Sequence, residues 1–183
     1  MPRRPMPFRL LSSRPAAALA AALCAALLLS SAAGAAAPFG GVRRATARYH
    51  SLVQAERAGY GPFPAGVPLH ECIAAFDGSG AMGIHWLNPG LLDTTLDEQR
   101  PEVLVYAPDA RGKLRLAALE YVVFAAAWEA EHGSTAPTMF GQPMTFMPDG
   151  NRFEIPAFWQ RHVWLWNANP DGVFADFNPS VSC

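Results

Sequence analysis

The alternation of apolar and polar positions is sharpest in residues 114–124, LRLAALEYVVF. As a strand, a period of two puts Leu114, Leu116, Ala118, Glu120 and Val122 on one face. One carboxylate, Glu120, thus stands in line with aliphatic side chains. A buried carboxylate is costly unless it is protonated, hydrogen-bonded, paired or bound to a metal. Residues 103–107, VLVYA, form a second short apolar run. The linking segment Pro108-Asp109-Ala110-Arg111-Gly112 has the chemistry of a hairpin turn, which predicts antiparallel neighbours. Two more segments alternate. Met82, Ile84 and Trp86 fall on one face, with Gly83, His85 and Leu87 on the other. Later, His162, Trp164 and Trp166 oppose Val163, Leu165 and Asn167.

Helical spacing appears in residues 43–58, where Ala45, Tyr49, Leu52 and Val53 make an apolar stripe that ends at Gly59. Glu56 interrupts that stripe and His50 lies at its edge. Residues 125–132, AAAWEAEH, predict two helical turns stopped by Gly133. Residues 93–102 read as a polar loop and residues 156–160 as a short helical turn. The sum is an α+β domain. An N-terminal helix packs on a small, mostly antiparallel sheet of four or five strands joined by long ordered loops.

Composition changes this picture at the N-terminus. Arg3, Arg4, Arg9 and Arg14 precede an apolar run at residues 16–29, and Ala33-Gly34-Ala35 follows as a cleavage signal. This predicts a signal peptide over residues 1–35 and a single globular domain over 36–183. The apolar run is shorter than the ~20 residues of a membrane span. Membrane attachment therefore enters only through an uncleaved signal segment. Cys24 lies inside the run and does not resemble a lipid-attachment site. Four of the fourteen basic residues lie in the signal and none of the fifteen acids does, so the remainder carries a net charge of about −5. That balance argues against nucleic acid and anionic membranes as partners. Cys72 and Cys183 remain as an even pair, which an exported protein joins as a disulfide.

Candidate chemistry centres on His85, Glu120 and His162, each on a predicted strand. Imidazoles and a carboxylate from neighbouring strands can meet on one divalent transition metal and leave positions open for water or substrate. A polar small-ligand pocket without metal, and plain structural hydrogen bonding, are the alternatives. His50 and Glu56 are candidate additional members, and Asp176 is a candidate second acid beside Glu120. His70 and His132 read as ordinary surface residues. No Gly-x-Ser-x-Gly, phosphate loop or paired Cys-x-x-Cys occurs, which leaves covalent, nucleotide and thiolate-metal chemistry without support.

Several phrases, AMGIHW at 81–86, LEYVV at 119–123, HVWLW at 162–166 and the ending NPDGVFADFNPSVSC at 169–183, look like those of a family of uncharacterised exported bacterial proteins. The resemblance spans the mature chain and implies export and one domain; it transfers no catalytic residue. Three functions stay open: an exported protein binding a small ligand or metal ion in a His/Glu pocket, a secreted metal-dependent hydrolase or oxidoreductase, and a disulfide-stapled interaction module without a site.

Overall fold

The computed structural model describes Met1, residues 39–63 and residues 71–183. The expected signal segment, with Cys24, and His70 lie outside these described residues. In chain order the elements are helix α1 (Gly40–Thr46), a 3-10 turn (Ala47–His50), helix α2 (Leu52–Arg57), strands β1 (Gly61–Pro62), β2 (Ile73–Ala74) and β3 (Ala81–Leu87), a 3-10 turn (Pro89–Leu91), strands β4 (Val103–Pro108) and β5 (Leu114–Phe124), helix α3 (Ala125–His132), and strands β6 (Thr138–Met139), β7 (Gln142–Pro143), β8 (Thr145–Met147) and β9 (Phe158–Val163). The main sheet runs β1-β3-β4-β5-β9-β8, with β2 added to β3. All its pairings are antiparallel. The α+β architecture expected from the sequence is present, as are the β4–β5 hairpin and α3 with its stop at Gly133.

The single N-terminal helix expected over residues 43–58 is instead two short helices. Ser51 takes extended angles (φ −95°, ψ 114°) between them. Thr46 Oγ1 donates to the Val42 carbonyl one turn back at 2.8 Å, a bond that competes with regular helix geometry. The break turns Tyr49 and Ala55 inward together and leaves Val53 exposed. Gly59 (φ 94°) then closes α2: Tyr60 N donates to Ala55 O and Gly59 N to Glu56 O, the paired bonds of a Schellman end.

The long strand β5 separates two cores. On the helix side, Tyr49, Ala55, Tyr60, Tyr106, Leu119 and Tyr121 pack together. Three buried tyrosines there each donate to a backbone carbonyl: Tyr60 to Pro101, Tyr106 to Tyr49 and Tyr121 to Glu98. On the other side, Met82, Val105, Ala118, Val122, Phe153 and Phe158 form a second core. Its covering is the short strand β2, loop and tail rather than helix, as Ile73, Phe153, Trp164 and Val181 show. The tail is anchored by a Cys72–Cys183 disulfide (Cα–Cα 5.4 Å) and by a bridge between Ala81 and Asn178. Gly80 permits that bridge, because a Cβ there would lie 2.3 Å from the Asn178 carbonyl.

Two bulges change which residues share a face. Val105 pairs with Ala118 but Tyr106 pairs with Leu116, so Ala117 is an extra residue in β5. Leu116 therefore packs on the helix side, and Glu120 keeps company with Ala118 and Val122 rather than with Leu114 and Leu116. The freed Ala117 carbonyl accepts from Trp166 N and Asn167 N, both at 3.0 Å. In β3, Gly83 adopts φ 102°, and Met82 joins the second core while Ile84 and Trp86 face the first. The last strand is also displaced. Residues 158–160 are strand rather than helical turn, because β9 pairs with β5 from Phe158↔Phe124 to Val163↔Leu119. Beyond Val163 the chain turns to the bulge, so Trp164 enters the second core and Trp166 packs on the helix side.

Candidate metal centre

Glu120 on β5 and His162 on β9 are direct cross-strand partners. His85 on β3 reaches them from two strands away, because β4 lies between. The residues that β4 presents near it are valines: Val105 opposite His85 and Val103 opposite Glu120. Their short side chains leave room for the imidazole and the carboxylate to meet above them. All three residues are buried, and one ligand atom from each lies within 4.8 Å of the others. His85 Nε2 is 3.4 Å from His162 Nε2 and 3.4 Å from Glu120 Oε2. Ligand atoms bound tetrahedrally at about 2.1 Å from an ion stand about 3.4 Å apart. The same separations are long for hydrogen bonds. This spacing is loose for a self-contained polar cluster and suitable for a shared cation.

Electrostatics point the same way. Burial, then the neighbouring His162, holds His85 down at about 3, against a smaller opposing pull from the Gly83 backbone. Burial pushes Glu120 above the usual carboxylate range, with His162 opposing and Asp176 adding to the rise. Burial alone would lower His162, but the carboxylates of Glu120 and Asp176 outweigh it and hold the ring above its ordinary value. His85 is thus a neutral ligand in waiting, and protonation of Glu120 or His162 would compete with a bound cation.

Three neighbours extend the group. Asp176 Oδ1 lies 3.7 Å from His162 Nδ1, the nitrogen that also faces Glu120 Oε1 at 3.8 Å, while Nε2 faces His85. Both distances are too long for a hydrogen bond, so the two carboxylates act on the ring through their charge. Glu102, one residue before β4, is 1% exposed and accepts from Val122 N at 3.1 Å. Burial raises its carboxyl to about 8, so it is neutral at pH 7. Gln160 on β9 is also 1% exposed. Glu102 had been hidden inside a polar stretch, and Gln160 inside a segment whose proline suggested a turn. Period-two counting back from His162 puts Gln160 on its face. Asp176 appears among the sequence candidates as a partner for Glu120, and it lies instead nearest His162.

The other two candidates do not join the centre. His50 and Glu56 are exposed and belong to the helical segment, which packs on the opposite face of the sheet. His50 lies edge-on to Trp166 with ring centroids 4.5 Å apart, and burial together with Arg115 lowers its ring. The break at Ser51 and the packing of Tyr49 decide that placement. A cavity of about 70 Å³ lies against two of the three residues of the centre. His85 and Glu120 are among its lining residues, and Phe63, Leu92, Phe124 and Ile155 are among its apolar walls. Such walls exclude water and strengthen the electrostatics inside.

Comparisons with family models, with curated proteins and with solved structures found no match to this chain. Among the described residues, no helix is long and apolar enough to cross a membrane.

Proposed function

We propose that this is an exported protein that binds one divalent transition metal through His85, Glu120 and His162. The observation that carries the reading is the convergence of three buried ligand atoms, 3.4 Å apart along two of their edges, on the loop-covered face of the sheet. Two histidines and one carboxylate suit Zn²⁺ and Fe²⁺. The disulfide supports export, since such bonds persist in oxidising compartments. Metal analysis of the purified mature protein, prepared without a histidine tag, tests the reading. About one equivalent of metal is expected, and Glu120→Gln should lose it while remaining folded. Absence of metal, together with no thermal shift across a panel of divalent ions, would leave a stapled module with no metal site.

A second reading is an enzyme that uses the same centre. It is favoured by the cavity that His85 and Glu120 line together with apolar side chains. Three protein ligands leave coordination positions for water or substrate. Turnover by the metal-loaded protein on ester, phosphate or glycoside substrates, or oxygen consumption by the iron-loaded form, distinguishes an enzyme from a binder.

A further inference from the structure

A second cavity, of about 390 Å³, opens beside the centre on the loop-covered face. Met82 and Phe153 line both cavities and so form the wall between them. Gln160 lines the larger cavity, is 1% exposed, and has no hydrogen-bond partner for its Nε2 among the described residues. An unpaired buried donor destabilises the fold unless something outside the chain satisfies it. Methionine would fill the same space without that cost. Gln160 and His162 share a face of β9, about 6–7 Å apart along the strand. Asp176, which flanks His162, lines the same cavity. The cavity mouth carries Phe76, a large apolar side chain that is 86% exposed. The Arg152 guanidinium lies 3.8 Å over the Phe76 ring and donates to the Ala74 carbonyl, which holds the ring at the rim.

We propose that this cavity binds a small, largely apolar molecule bearing an oxygen acceptor, a carbonyl or carboxylate, which takes its hydrogen bond from Gln160 Nε2. The body of the molecule lies against Met82, Phe153 and Phe177, and Phe76 covers its outer end. The inference goes beyond the metal reading: the cavity adjoins the centre only through Asp176, which flanks His162. The hydrogen bond to Gln160 is independent of the ion.

Titration calorimetry with phenylacetate, phenylacetamide and 2-phenylethylamine tests this on the full mature protein, both metal-loaded and chelator-treated. The first two probes share an aromatic body and an acceptor oxygen, and the third lacks the acceptor. Binding of phenylacetate, phenylacetamide or both, in the two preparations, and weaker binding of the amine, is expected. Gln160→Met should keep or raise the thermal midpoint and weaken that binding about tenfold, the loss of one buried hydrogen bond. Phe76→Ala, at an exposed position, should weaken it several-fold without affecting folding. The proposal is overturned if neither acceptor probe binds, if the amine binds equally well, or if Gln160→Met retains full affinity. It also fails if Gln160→Met unfolds the protein while Phe76→Ala leaves binding unchanged. Metal content measured on the same samples reports separately on the metal reading.

Discussion

Glu102 and Glu120 are two buried acids with different fates. Glu102 faces the backbone of β5 and accepts from Val122 N, while Glu120 faces two imidazoles. The folded carboxyl of Glu102 titrates at about 8, against an ordinary 4.5. Its proton is therefore held more tightly in the folded chain than in the unfolded one. Below about pH 4.5 its contribution is fully present, and it is lost as pH rises through about 8. Urea melts of the metal-free protein should show stability falling over that window, and Glu102→Gln should flatten the decline. An unchanged slope in the variant would exclude Glu102 as its source. At the proposed metal centre the sign is set by competition between the ion and protons, because Glu120 and His162 ligate only in their deprotonated forms and both are shifted upward. Metal affinity should therefore rise with pH. Asp176→Asn should lower it by about 10–100-fold, as loss of a carboxylate beside a ligating histidine does, with one equivalent still bound at saturation. Competition against a chromophoric chelator measures both effects.

At the scale of elements, the sequence conveys strands better than it conveys bulges. Residues 103–107 and 114–124 mark their own hairpin because turn residues separate two apolar runs, and α3 is bounded by Gly133. The Glu120–His162 pair was legible because each residue sits among apolar neighbours with a period of two. The face assignments around it were not. Ala117 and Ala118 have the same side chain, so nothing in their identity shows which one is extra, and Gly83 has no side chain to report its direction. The break in the N-terminal helix depends on Tyr49 and Tyr60 packing together from across that break, a tertiary fact with no local signature. Gly83 provides a test at this scale. Its φ of 102° and the Tyr106 carbonyl 2.6 Å from a would-be Cβ make alanine both strained and crowded. Gly83→Ala should cost at least about 2 kcal/mol and, because His85 lies two residues on, should also weaken metal binding. Chemical denaturation read alongside metal titration checks this. A destabilised variant with undiminished metal affinity would show that the bulge serves packing alone.

For the whole molecule, the decisive feature is that one face of the sheet has helices over it and the other has loops. Helical cover brings its own hydrogen bonds, whereas loop cover must be fastened by side chains and cross-links. Asn178 does part of this: its backbone pairs with Ala81, its Nδ2 donates to Ala168 O, and its Oδ1 accepts from Ser180 N. The disulfide does the rest, joining residues 111 apart in sequence and holding the tail that carries Asp176 and Val181 against the second core. Chain-entropy models assign a loop of that length about 5 kcal/mol. A Cys72→Ala, Cys183→Ala double variant should therefore melt more than about 10 °C below the parent. Its losses should also be ordered in space. Amide exchange should accelerate first in the tail around Asn178 and in the loop before β3, while amides of β4 and β5 exchange only with global unfolding. Because Asp176 and Phe177 ride on that tail, metal affinity and occupancy of the larger cavity should fall before the helix-side core loosens. If exchange instead rises uniformly across the sheet, the cross-link stabilises the chain as a whole and has no particular role in holding the loop-covered face over the centre.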